Sequence, residues 1–327
     1  MRRLRADMPL LLALQGGGAH GAFTWGVLDR LLEESDFAIE AVSATSSGAL
    51  NALAVAQGWL DGGREGARTC LDALWHGIST HTALARRLFN AAPPASRETL
   101  LGLSRHFTPE QFNPLGVNPV RDLALRLFDF ERLRARAPFA LYLAATRVRD
   151  GALALFGPQQ IDIDAMLAST CLPQLFAPVT IDGETYWDGG WAGNPSLEPL
   201  IERHRGEDLL CVLVRPLSQP RLPQSAREIA ERMAALGFSA AFLRELRSVL
   251  RAQRALAGKL VLSPPGRRLQ ALRLHLVAPG DALDTVTDRT PIDTRAPVLE
   301  AMRDSGRARA QAWLDGDDAA DLAPLLG

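Results

Sequence analysis

Lysine is nearly missing from this chain: of 36 basic residues all but Lys259 are arginine. That skew reads as the composition bias of a bacterial genome before it reads as function. With 37 acidic residues the formal charge is only -1, so charge gives no argument for a nucleic-acid partner. Cysteine is scarce too. Cys70, Cys171 and Cys211 are too few and too scattered for a disulfide framework or a zinc site, and they read as buried, reduced thiols. No stretch is long or apolar enough to span a bilayer. Met1-Arg2-Arg3-Leu4-Arg5 followed by Pro9 to Leu14 mimics a signal peptide, but the apolar run is short and no cleavage site precedes the glycines. A first buried strand explains it better. The expectation is a soluble cytoplasmic protein, with peripheral contact at the inner membrane left open.

What is present supports a sizeable core, since 47% of residues are hydrophobic and 22% charged. There is no internal repeat and no low-complexity linker. The chain is therefore read as a single domain, 1–327, with its core at 9–215 and a helical and strand elaboration at 216–327.

Val42 to Asn51 is the stretch around which the rest is organised. A β-prone approach ends in small residues, Ser43-Ala44-Thr45-Ser46-Ser47-Gly48, and an alanine-rich helical pattern follows at once. That is the sequence form of a nucleophile elbow, a sharp strand-to-helix turn that exposes a serine. Ala44 and Gly48 stand two before and two after Ser46, which selects Ser46 over Ser43 and Ser47. A serine-rich turn that merely caps the next helix gives the same short pattern.

Upstream, the strand-like Leu10 to Leu14 runs into Gln15-Gly16-Gly17-Gly18-Ala19-His20-Gly21, and a helix follows. Glycines at a helix start let backbone N–H groups point outward, where the dipole favours negative charge. Such a turn serves as an oxyanion hole or as a pyrophosphate site, because Gly16, Gly18 and Gly21 also fit G-x-G-x-x-G. The dinucleotide reading needs an acidic residue about 20 positions on, ending the next strand. Glu40 precedes that strand instead, and the strand leads into the elbow. The oxyanion reading is preferred.

Further along, Ser47 to Gln57 reads as a helix with Gly58 as its C-terminal cap. Residues 59–118 read as a helical excursion, with pieces at Ala67–Trp75 and Thr82–Phe89 interrupted by Pro93-Pro94, Pro109, Pro114 and Pro119. His76, His81 and His106 lie there, more in keeping with solvated or locally bonded histidines than with a base. Pro119 to Phe128 resembles a helix, Phe139 to Thr146 a strand, and Ala152 to Phe156 its hairpin or following partner. A short helix runs from Ala165 to Pro173. Val179–Ile181 and Thr185–Trp187 flank Asp182-Gly183, a hairpin turn. The second arm ends in Asp188-Gly189-Gly190, by itself an ordinary turn. Leu209–Val214 and Leu269–Val277 read as strands. Gln224 to Ala257 is a long helix, a covering element or a lid that meets lipid. Pro297–Leu314 closes the pattern, followed by an acidic tail.

Three of these stretches, in this order, resemble the patatin-like phospholipases: Gly16-Gly17-Gly18-Ala19-His20-Gly21, Ala44-Thr45-Ser46-Ser47-Gly48-Ala49 and Asp188-Gly189-Gly190. Ala168-Ser169 with Pro173 is similar to a further family stretch. The likeness covers roughly 9–215. It implies an α/β fold, a three-layer α/β/α sandwich with a mainly parallel central sheet, and a Ser–Asp dyad in place of a triad. It further implies that Ser46 attacks the acyl carbonyl of a lipid ester and that Asp188 takes its proton. Backbone N–H groups among Gly16, Gly17, Gly18 and Ala19 then hold the oxyanion. Ala44 and Gly48 shape the elbow, Gly189 and Gly190 form the loop after the base, and no metal or cofactor is required. The chain departs from the pattern at Ala44, where the family has glycine, at His20, where it has arginine or lysine, and at Ser47, where alanine is usual. The expected function is a phospholipase A, lysophospholipase or esterase, with a catalytically weak or silent lipid- or acyl-binding protein as the alternative. Oligomeric state is not legible.

Overall fold

The computed structural model describes residues 9–35, 37–91, 108–112, 117–173, 175–217, 222–280 and 293–317. His106, Pro93-Pro94, Pro114, the N-terminal arginines and the acidic tail lie outside them.

Leu10–Leu14 (β1) is buried at every position. A strand that is apolar on both faces needs cover on both sides, which is the situation of a central parallel strand. It pairs in parallel with Ile39–Thr45 (β2) on one side and with Asp208–Val212 (β7) on the other. Ala140–Arg147 (β3) continues the parallel set beyond β2, and Arg273–Val277 (β8) beyond β7. An antiparallel margin of Leu153–Phe156 (β4), Val179–Ile181 (β5) and Glu184–Asp188 (β6) completes the sheet, in the order β5-β6-β3-β2-β1-β7-β8 with β4 on β3.

Alternate residues of β1 enter different cores. Leu10, Leu12 and Leu14 pack with helices Gly21–Leu31 (α1), Ser47–Ala91 (α2), Pro119–Leu127 (α3), Phe130–Arg136 (α4) and Ile163–Thr170 (α5). Leu11 and Ala13 pack on the opposite face with Glu198–Arg203 (α6), Ala226–Leu256 (α7) and Pro264–Ala271 (α8). The result is a three-layer α/β/α sandwich around a mixed, mainly parallel sheet. That sheet takes β8 from beyond residue 215. Among the described residues no helix is long and apolar enough to cross a membrane.

Two expectations need correction. Gly58 does not end a helix. The helical run continues and reverses at Gly62 and Gly63, whose φ angles are -164° and 63°. Gly58 serves the packing of the two limbs, since a Cβ there would lie 2.6 Å from Ala67 Cα and press on the Gly66 carbonyl. Nor is Leu269 in a strand. Pro264 just after the Ser263 cap starts α8, which runs to Ala271 before β8 begins.

The helix Ala296–Asp315 (α9) lies across α1 at glycines. A Cβ on Gly26 would come within 2.6 Å of the Arg303 carbonyl carbon, and one on Gly306 within 3.0 Å of Phe23. Arg68 and Arg307 both reach Asp29 and Glu33 beside this crossing.

Candidate active site

Three chain reversals meet at the carboxyl ends of the central strands. The first is the elbow between β2 and α2. Ser46 there has φ 54°, a left-handed conformation that costs an ordinary side chain energy and is held only by its surroundings. Its N–H donates to Ser169 Oγ on α5 at 3.0 Å. Thr45 Oγ1 donates to the Gly193 carbonyl at 2.7 Å. Ala44 is a regular strand position between Leu14 and Leu143. Its methyl therefore sits in ordinary extended backbone, and the strain is confined to Ser46. Gly48 lets the helix start close on β1, because a Cβ would lie 2.9 Å from the Leu14 carbonyl carbon.

The second reversal is the glycine turn after β1. A Cβ on Gly16 would stand 2.5 Å from the Thr45 oxygen and 2.6 Å from Ser46 Cβ, so the turn presses directly on the elbow. Asn194 Oδ1 accepts the Gly16 N–H, and Ser47 Oγ accepts the Gly17 N–H at 3.0 Å. Among the described residues the N–H groups of Gly18 and Ala19 carry no hydrogen bond. Of the four groups expected to hold an oxyanion, two are therefore already engaged and two are available. His20 is buried in the same turn. Glu40, weighed as a ribose partner, instead accepts the N–H groups of Arg205 and Gly206 at 2.9 and 2.7 Å. It ties β2 to the loop before β7.

The third reversal follows β6. Asp188 is fully buried, and its backbone is fixed by Thr146 Oγ1 and by the Cys171 carbonyl. Oδ1 accepts the Gly190 N–H at 2.8 Å. Among the described residues, Oδ2 is buried without a well-formed hydrogen bond. The Ser46 hydroxyl is nonetheless close enough to favour the ionised carboxylate, so the two side chains are adjacent but short of a closed hydrogen bond. Burial pushes the carboxyl up to about 7, against the opposing pull of the Ser46 hydroxyl and the Gly190 N–H. Gly189 and Gly190 are required by contact: a Cβ on Gly189 would lie 2.9 Å from Thr45 Cγ2, and one on Gly190 would enter the Phe238 ring.

The structure thus brings Ser46, Asp188 and the glycine turn together. His76 is elsewhere, half-exposed between Asp72 and Glu300. Sequence reasoning passed over Asn194, the best-placed of the supporting residues. It is buried, and it also donates from Nδ2 to the Gly16 and Phe238 carbonyls. The Asn194-Pro195 pair, soon after Asp188-Gly189-Gly190, was the signal available. Asn51 is a second such residue, with Nδ2 on the Gly21 and Ser47 carbonyls and Oδ1 accepting the Trp75 indole N–H.

Helix α7 walls the site. Phe238 packs edge-on against Trp191, while Phe242 and Leu246 are buried in the second core. Its first half leaves Ile229, Met233 and Leu236 exposed.

The patatin-like phospholipase family model matches residues 12–201. Among solved structures, the chain is similar to VipD from Legionella pneumophila at 16% identity and a TM-score of 0.47, over 95% of this chain and 67% of that one. No curated protein sequence matches.

Proposed function

Because this chain belongs to the patatin-like phospholipase family, we propose that it hydrolyses fatty-acyl esters of lipids through Ser46 and Asp188, by way of an acyl-enzyme. The observation that carries the reading is the meeting of a strained, left-handed Ser46 with a buried carboxylate whose Oδ2 lacks a hydrogen bond of its own. In the first half-reaction Ser46 Oγ bonds to the acyl carbon as its proton passes to Asp188. The carbonyl oxygen takes the negative charge and is held by the N–H groups of Gly18 and Ala19, preorganised donors at the start of α1. Collapse expels the alcohol, which leaves with the proton from Asp188. Water then attacks the acyl-serine, giving a proton to Asp188. The second collapse releases the fatty acid and returns the proton to Ser46. A carboxyl near 7 suits this exchange, because it gives and takes protons with little driving force at neutral pH.

The chain works as one domain in this reading, since α9 braces the helix that carries the glycine turn. The exposed ridge Ile229-Met233-Leu236 is the edge that meets aggregated lipid. The test is capture of Ser46 by a fluorophosphonate, together with hydrolysis of p-nitrophenyl acyl esters and lysophospholipid. Ester turnover retained by folded Ser46→Ala would overturn the assignment.

A further inference from the structure

One face of α7 is exposed along most of its length, and its two halves differ in chemistry. Ile229, Met233, Leu236 and Ala240, then Arg244, Arg247, Arg251 and Arg254, follow one another at steps of three or four residues and are all exposed. That spacing keeps them on a single stripe of the helix. Phe242 and Leu246 fall on the opposite side and are buried in the second core. Over roughly 40 Å, at about 1.5 Å per residue, the outward stripe is apolar first and cationic after.

The cationic half stands out in a chain whose formal charge is -1. From Arg244 to Arg268 there are seven basic residues, the sole lysine among them, and one acidic residue, Glu245. Glu245 is turned toward α6, where it accepts the N–H groups of Leu197 and Glu198. Arginines elsewhere are answered by carboxylates, as Arg30 is by Glu34, Arg68 by Asp29 and Arg147 by Asp150. Among the described residues no carboxylate pairs with Arg244, Arg247, Arg251 or Arg254. Just past the last of them, Leu260 and Leu262 are 88% and 76% exposed. The apolar half begins at the active-site wall, since Phe238 packs over Gly190. The cationic half runs to the far edge of the sheet, where Gln253 Nε2 donates to the Leu269 and Leu272 carbonyls ahead of β8.

We propose that α7 lies flat on an anionic lipid surface, with Ile229, Met233 and Leu236 at the acyl boundary and the arginine stripe among the head-group anions. This deepens the lipid contact of the ridge and rests on that reading for its occupant. A helix that is apolar and cationic along one outward face settles in the plane of the interface, and anionic lipid attracts each cation near it. A nucleic acid would answer the arginines and leave the ridge in water. A second copy related by a two-fold axis would fit poorly as well. Antiparallel helices would set ridge against arginines, and parallel ones arginines against arginines. A membrane offers anions and hydrocarbon to the same face, and it would meet this one at the end where Ser46 and Asp188 lie.

The test uses the full chain carrying Ser46→Ala, so that lipid stays intact, and measures flotation with vesicles of phosphatidylcholine alone or with about one-third phosphatidylglycerol. Binding to the anionic vesicles should be about 30-fold or more tighter than to the neutral ones, and should weaken as salt rises from about 0.05 M to about 0.5 M. Arg247→Gln with Arg251→Gln should lose about tenfold or more on anionic vesicles and nothing on neutral ones, each cation counting for about fivefold. Ile229→Gln with Met233→Gln should weaken binding to both kinds by about tenfold or more. Arg121→Gln with Arg126→Gln, an exposed pair on α3 that removes the same charge, should bind like the parent. Thermal melting checks that each variant is folded. Equal binding to the two kinds of vesicle, no loss in the Arg247→Gln, Arg251→Gln variant, or an equal loss in the α3 variant would overturn the proposal. Retention on heparin with neither vesicle bound would overturn it too, and give the stripe to a nucleic acid. The hydrolase reading fails separately: vesicle binding as expected, with no ester turnover by wild type, sinks that reading alone. Turnover of monomeric ester by wild type with no vesicle binding sinks this surface alone.

Discussion

Asn194 holds both polar groups of Gly16: Oδ1 accepts its N–H at 2.7 Å and Nδ2 donates to its carbonyl at 3.3 Å. A side chain from the loop after Asp188 thereby fixes the backbone of the glycine turn, 178 residues away in the chain. Asn194→Ala leaves two buried backbone groups unmet, so it should lower stability by about 1–3 kcal/mol. It should also reduce kcat about tenfold or more while KM changes little. Asn194→Asp should be worse, because a carboxylate would face the Gly16 and Phe238 carbonyls. Urea unfolding and steady-state kinetics measure both effects.

In the proposed mechanism Asp188 must be ionised to accept the Ser46 proton, and its carboxyl is pushed up to about 7 by burial. The kcat/KM profile should therefore fall about tenfold per pH unit below that value and level off above it. Asp188→Asn and Ser46→Ala should each lose about a thousandfold or more. A flat profile from pH 5 to 8 would exclude Asp188 as the base.

The same burial has a cost in stability. A carboxyl whose folded value lies above its unfolded one favours the native state only while protonated. Its contribution is full below about 4 and is lost as pH rises through about 7. Asp188→Asn removes that dependence. The variant should melt several degrees above wild type at pH 8 and close to it at pH 4, as read by calorimetry.

Gly16→Ala should abolish activity and destabilise the protein, because the new methyl meets the Thr45 oxygen at 2.5 Å, a backbone atom that cannot swing aside. Gly62→Ala is the control. Among the described residues nothing lies within 4 Å of a Cβ there, and its φ of -164° is open to any residue. Its activity should match wild type.

If the exposed apolar ridge of α7 meets lipid, turnover rises when substrate passes from monomer to aggregate. Ile229→Gln with Met233→Gln should abolish most of that rise and leave monomeric turnover unchanged. Equal rates on both forms of substrate in wild type would set the idea aside.

Ser46 and Asp188 were legible because each carries a local signature: small residues flanking a serine at a strand end, and glycines after a strand-terminal acid. Asn51 has no such signature, and Ser169 and Asn194 are marked only by short stretches, Ala168-Ser169 with Pro173 and Asn194-Pro195, that name no role. They are buried polar side chains whose partners are backbone groups, and the Ser46–Ser169 and Gly16–Asn194 pairs join residues 123 and 178 positions apart. Which oxyanion candidates remain available depends on those same bonds, so the glycine turn alone could offer four donors but not choose among them. Gly58 was misread because a glycine near a helix end serves equally as a cap or as a place for close packing. Only the approach of Gly66 distinguishes the two.

The glycine crossing of α1 and α9 bears on how the molecule is made. Arg307 reaches Asp29 across 278 residues of chain, and contacts of such separation are slow to form. Yet α1 begins at Gly21, where the glycine turn ends. Secondary structure should therefore return early in refolding, while a serine that captures fluorophosphonate returns later, on the timescale of this end-to-end embrace. A chain cut before Ala296 should keep most of its sheet and never complete that later phase.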